Sequence, residues 1–178
     1  MTDQMKKSTS NFWVITLMIC VAAFVRLLPH PPNFAPIAAM ALFGGAYFNR
    51  KAFAFAIPLF AILLTDAIIG FYPFAFIVYV SLAVIVLLGI VMLKKVSVKN
   101  VVLASVTASV SFFVITNFGV WMLGTLYPKT PAGLMESYIA AIPFFQTSLI
   151  GDLFFSGVMF GVYELVKHKV PALHKVKA

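Results

Sequence analysis

Four side chains sit where a lipid-embedded sequence has little tolerance for them: Arg26, Asp66, Asn117 and Asp152, each inside or at the end of a long apolar run. An ionisable group at membrane depth costs about 2.5 to 3.5 kcal/mol on insertion scales, so such groups turn toward a bundle interior and find partners there. A guanidinium, a carboxamide and two carboxylates are suited to holding a polar solute, or one another. They are not suited to turnover here, and no catalytic residue is expected. All three histidines (His30, His168 and His174) fall in connections or the tail, away from any serine at depth, and no paired-acid motif occurs. Haem ligation fails for the same reason. With one cysteine, Cys20, and no Cys/His cluster, neither a disulfide, a metal nor any other cofactor is expected, and Cys20 reads as an ordinary buried thiol.

Residues three, four and seven apart share a helix face. Asp152 thereby aligns with Phe145, Ser148 and Ser156, and Asn117 with Trp121 one turn outward. Asp66 shares its face with Leu59, Ile62, Leu63 and Gly70, so only the cost of exposing its charge turns it inward. The run His30-Pro31-Pro32-Asn33-Phe34-Ala35-Pro36 fixes an extended path. Asn33 is placed to cap the next helix, Pro36 suits its first turn, and His30 stands near a site mouth. Two readings follow. In one, Arg26, His30, Asn33, Asp66, Asn117, Trp121 and Asp152 bind a small-molecule ligand in a cavity open to the outer side. In the other, Arg26 neutralises one or both aspartates, Asn117 and Gln146 bridge helices, and the protein is a non-transporting accessory or assembly subunit. A cavity lined by Asn117, Trp121 and an acid favours the first, and an Arg26 consumed in a sealed salt bridge favours the second.

The elements that position these residues follow from composition. Of 178 residues, 62% are hydrophobic and 10% charged, with a mean hydropathy of +1.04, so the solvent for most of the chain is lipid. At about 20 residues per crossing of a hydrocarbon layer about 30 Å thick, the chain forms a single all-α, polytopic domain over residues 1–178 with six transmembrane helices. Apolar runs place them at about residues 12–29, 34–48, 52–71, 73–94, 101–123 and 138–166. The second spans only about 22 Å at 1.5 Å per residue. Gly44 and Gly45 with Ala38, Ala39 and Ala41, and Ala104 with Ala108, offer surfaces for close helix contact.

A net charge of +8 in such a chain marks orientation rather than nucleic acid, and no nucleic-acid partner is expected. Lys6, Lys7, Arg50, Lys51, Lys94, Lys95, Lys99, Lys167, Lys169, Lys175 and Lys177 fall on one side if six helices alternate, leaving Arg26 and Lys129 of the 13 basic residues on the other. That asymmetry places both termini in the cytoplasm and the protein in the inner (cytoplasmic) membrane. Trp121, Tyr127 and Tyr138 then fall at an outer aromatic belt, and Trp13 and Tyr163 at an inner one.

The strings His30-Pro31-Pro32-Asn33-Phe34-x-Pro36, Ala41-Leu42-Phe43-Gly44-Gly45-Ala46-Tyr47, Asp66 before Gly70-Phe71, Thr116-Asn117-Phe118-Gly119-Val120-Trp121 and Gly151-Asp152-Leu153 resemble a bacterial family of small membrane proteins of unassigned function. That family is similar to the substrate-binding S components of energy-coupling factor (ECF) transporters. The resemblance implies an S-component-like bundle that captures a vitamin-like molecule at its outer face for uptake, driven by an ECF scaffold subunit and ATPases. Members usually carry an Ala-x-x-x-Ala surface on the first helix for that scaffold. Here that helix offers only Ala22 and Ala23, while the spacing occurs as Ala35 and Ala39 and as Ala52 and Ala56, so the protein is also open to acting alone.

Overall fold

The computed structural model describes residues 3–170, with side chains from residue 9 onward. Lys175, Lys177 and His174, and the side chains of Lys6 and Lys7, lie outside the described residues. The described chain is all-helical: α1 (Asp3–Val25), α2 (Ile37–Tyr47), α3 (Lys51–Ile69), α4 (Ala75–Met92), α5 (Val98–Leu123) and α6 (Pro131–Lys169). Four of them, α3 to α6, are long and apolar enough to cross a membrane. The apolar part of α1, Thr9–Val25, and α2 are shorter.

The outer surface is that of a membrane protein. Along one face of α1, Trp13, Leu17, Val21 and Phe24 are each more than half exposed, as are Phe60, Ile68, Val91 and Ile150 on other helices. A surface so continuously apolar needs hydrocarbon around it. Cys20 lies on the exposed side of α1 and not in the core, because Ile15 and Ile19 occupy the inward face.

The bundle is organised around α2. Every residue from Ala38 to Gly45 is buried, and α2 packs against all five other helices. A helix apolar on every side is stable only inside a core. Its 11 residues span about 16 Å, shorter than the run of apolar sequence suggests. Glycine sets its closest approach: a Cβ on Gly89 of α4 would lie 2.6 Å from the Leu42 carbonyl oxygen, so the two backbones touch where small residues permit. Ala104 and Ala108 are likewise buried in the core.

The helix ends differ from the apolar pattern for identifiable reasons. The last α1 turn tightens through Arg26 N–H to Ala23 O and Leu28 N–H to Val25 O bonds, leaving Arg26 just beyond the helix. Pro31 to Phe34 form a turn closed by the Phe34 N–H to Pro31 O bond at 3.0 Å. Asn33 takes the left-handed position in it, with φ 62°, as asparagine readily does. Asn33 is therefore spent on the turn and does not cap α2, whose N-cap is Pro36 with no side-chain bond. α6 begins seven residues earlier than hydropathy suggests, since Thr130 Oγ1 caps it by accepting from Gly133 N–H at 3.2 Å and Pro131 fills the first turn. Its 39 residues extend about 58 Å, more than a bilayer requires. Tyr163 does not face the surrounding lipid. It is buried in a ring cluster with Phe43 and Tyr47.

Candidate functional site

The polar residues form two separate groups. In the first, the Arg26 side chain reaches from the end of α1 to α3, donating from Nη1 to Thr65 Oγ1 at 2.5 Å and from Nη2 to Asp66 Oδ1 at 2.8 Å. Tyr79 of α4 donates its hydroxyl to the other carboxylate oxygen, Oδ2, at 2.9 Å. Thr65 passes its own proton to Ile62 O. With side-chain exposures of 9% and 1% for Arg26 and Asp66, the ion pair is sealed and both acid oxygens are occupied. Its work is to join α1, α3 and α4, and a buried pair satisfied this fully has little left for a ligand.

The second group lies between α5 and α6. A cavity of about 200 Å³ opens there, with Asn33, Ser109, Thr116, Asn117 and Ser148 supplying polar groups and Phe112, Phe113, Phe144 and Phe145 supplying rings, beside Ala141. Thr116 and Asn117 bond back to the Phe112 and Phe113 carbonyls of their own helix. The Asn117 amide nitrogen is thus held in place, and its carboxamide oxygen remains available to a solute. No charged side chain lines the cavity.

Asp152 stands directly behind this cavity. Ser109 Oγ lies 2.6 Å from Asp152 Oδ2, so a residue of the cavity wall touches the acid. The carboxylate also takes the Ala38 backbone N–H, in the first turn of α2. That turn contains no acidic residue and its N-cap makes no side-chain bond, so Asp152 supplies from α6 the negative charge and acceptor that a helix start favours. Gly151 makes the approach feasible: a Cβ there would press on the Phe34 ring at 3.2 Å.

Of the seven candidate residues, Asn33 and Asn117 line the cavity, Asp152 is one hydrogen bond from it, and Arg26 and Asp66 pair with each other elsewhere. Trp121 does not enter the cavity. Its indole N–H donates to Pro128 O at 2.8 Å, and Lys129, above the ring, donates to the Trp121 and Gly124 carbonyls, so this residue ties down the connection before α6. His30 is exposed, with Nδ1 2.9 Å from Pro31 O. Sequence reasoning missed Ser109, Thr116 and Phe113 in this wall, and Thr65 and Tyr79 around Asp66. The signal for Ser109 was present, since Ser105, Ser109 and Asn117 repeat at multiples of four along α5.

The fold and site define a polytopic, all-helical membrane protein with a cavity between its last two helices. The chain belongs to DUF6580, a family of unknown function, whose model matches residues 6–173. No curated protein and no solved structure matches it.

Proposed function

We propose that this protein is a solute-binding membrane protein that captures a small, uncharged, flat polar molecule between α5 and α6 and serves its uptake, in the manner of an S component. The cavity carries this reading: five hydrogen-bonding side chains and four phenylalanine rings around about 200 Å³, with no charge among them. Aromatic walls suit a planar ring, and an uncharged lining suits a neutral one, since an ion would be left unpaired. The volume lies below the roughly 300 to 1,000 Å³ of drug-sized sites, which points to the smaller vitamin-like molecules. No reaction is assigned to the site, which we read as binding alone.

In this reading the protein resides in the inner membrane with six spans and both termini cytoplasmic, so that the cavity faces outward. Among the small-residue pairs available to a scaffold, Ala22, Ala23 and Ala39 are buried in the core, whereas Ala52 and Ala56 lie exposed on α3. An ECF-type scaffold with its ATPases would therefore engage α3.

The sealed Arg26–Asp66 pair favours a second reading, an accessory subunit whose polar residues hold helices together. Mass spectrometry of small molecules released from protein purified in native-membrane discs separates the two. A compound retained by the wild type and lost from Ser148→Trp, which fills the cavity, supports solute capture. Identical profiles for both, over several growth media, favour the accessory role.

A further inference from the structure

Beneath the cavity, the α5–α6 seam contains two hydroxyls with nothing to bond. Ser105 and Ser156 are 0% and 1% exposed, and their Oγ atoms have no hydrogen-bond partner. Serines and threonines within helices ordinarily donate to the carbonyl four residues back. Ser81, Thr107 and Thr116 make that bond here, and Ser109 Oγ has its one proton within reach of both Ser105 O and Asp152 Oδ2; Ser105 and Ser156 on the facing helices, like Thr16 of α1, have no partner.

Their position follows from the register of the two antiparallel helices. Ser109 meets Asp152, and Phe113 meets Phe145 on the outer side. Ser105 lies one helical turn before Ser109 on α5 and Ser156 one turn after Asp152 on α6, so each hydroxyl sits a turn beyond the Ser109–Asp152 contact on its own helix. A buried carboxylate, a serine bonded to it and two unpartnered serines therefore occupy consecutive turns of one seam.

Asp152 also lacks a cation partner. Asp66 pairs with Arg26 and Glu164 with Lys167, whereas no ion pair to Asp152 is found among the described residues, and the start of α2 offers only about half an elementary charge. A single negative charge in an apolar interior calls for one positive charge. A proton on Asp152 would supply it but would leave both hydroxyls as they are. A divalent ion would exceed it, and among the described residues no group of three His, Cys, Asp or Glu gathers to hold one. Oxygen-only ligands suit a hard ion.

We propose that Asp152, Ser105, Ser109 and Ser156 form a site for one dehydrated alkali cation, at the α5–α6 seam directly below the solute cavity. The ion takes its charge balance from Asp152 and oxygen contacts from the three serines. The site shares Ser109 with the cavity wall, but its charge balance and the two unpartnered hydroxyls lie outside that wall, so an ion can be held whether or not a solute is bound.

The test is thermal unfolding of the purified full-length protein in NaCl, KCl and choline chloride at equal ionic strength. The site predicts a Tm that rises saturably with NaCl or KCl and not with choline, the more effective ion being the resident one. Asp152→Asn abolishes the rise. Ser105→Ala and Ser156→Ala, which delete only a hydroxyl and fold without cost to any existing bond, each require about tenfold more cation for half the shift. Thr107→Ala, on the exposed side of α5, leaves it unchanged. A wild-type Tm equal in all three salts, or a full shift retained in both serine variants, overturns the proposal and assigns the hydroxyls to buried water.

Discussion

Ser109 and Asp152 meet across 2.6 Å between α5 and α6, and through the Asp152 bond to the Ala38 amide that contact connects the cavity wall to the start of the central helix. Occupancy of the cavity and the placement of α2 thereby share a residue. Because α2 touches every other helix, a disturbance at Asp152 has a route into the whole bundle.

If Asp152 caps α2, its removal has a cost typical of caps. Asp152→Ala lowers unfolding stability by about 1 kcal/mol, while Asp152→Asn, which keeps a side-chain oxygen for the Ala38 amide, loses less. Unfolding of both variants in the same detergent, at one fixed salt concentration, checks the order. Equal losses would mean that the oxygen is not acting as a cap.

The Arg26–Asp66 pair makes a sharper prediction. Arg26→Met strands a carboxylate that is 1% exposed and costs about 3 to 5 kcal/mol. The double variant Arg26→Met/Asp66→Leu recovers much of that loss, since no uncompensated charge remains. Expression level and Tm of the two read this directly, and a double variant worse than the single would show that the pair contributes net stability.

Gly45 lies against the backbone of α4 at Val86 and Gly89. Neither backbone segment can move aside as a flexible side chain does. Gly45→Val therefore costs about 1 to 3 kcal/mol or more by overpacking, whereas Gly161→Val, where a Cβ meets nothing, is tolerated. A comparison of folded yield from membranes checks the contrast.

Orientation is open to labelling in a Cys20→Ser background. Lys129→Cys reacts with a membrane-impermeant maleimide in intact cells, and Lys95→Cys reacts only after permeabilisation. The reverse pattern would invert the topology and turn the cavity toward the cytoplasm.

Much of the fold was legible because lipid demands long apolar segments, and α3, α4 and α5 lie close to where their apolar runs place them. Periodicity also found the inward stripe of α6, where Phe145 and Ser148 line the cavity and Asp152 and Ser156 are buried. What it missed depended on contacts between distant segments. The burial cost of charge says that Asp66 needs a partner but not that Tyr79 and Thr65 surround it. Nothing local shows that α2 begins on an acid 114 residues further along, as the Ala38 bond to Asp152 establishes. Asn33 was read as a cap because its residue type suits one, yet the preceding prolines commit it to a turn. Trp121 shares the Asn117 face by spacing, but the connection before α6 folds back and claims its indole.

The central claim is that solute is held by the α5–α6 wall and not by the buried ion pair. Calorimetric titration of the compound recovered from the wild type, into wild type, Asn117→Ala and the Arg26→Met/Asp66→Leu double variant, tests it most directly. The account predicts affinity about tenfold or more weaker for Asn117→Ala, the loss of one buried polar contact, and near wild-type affinity for the double variant. Unchanged binding to Asn117→Ala, with binding abolished in the folded double variant, would contradict it.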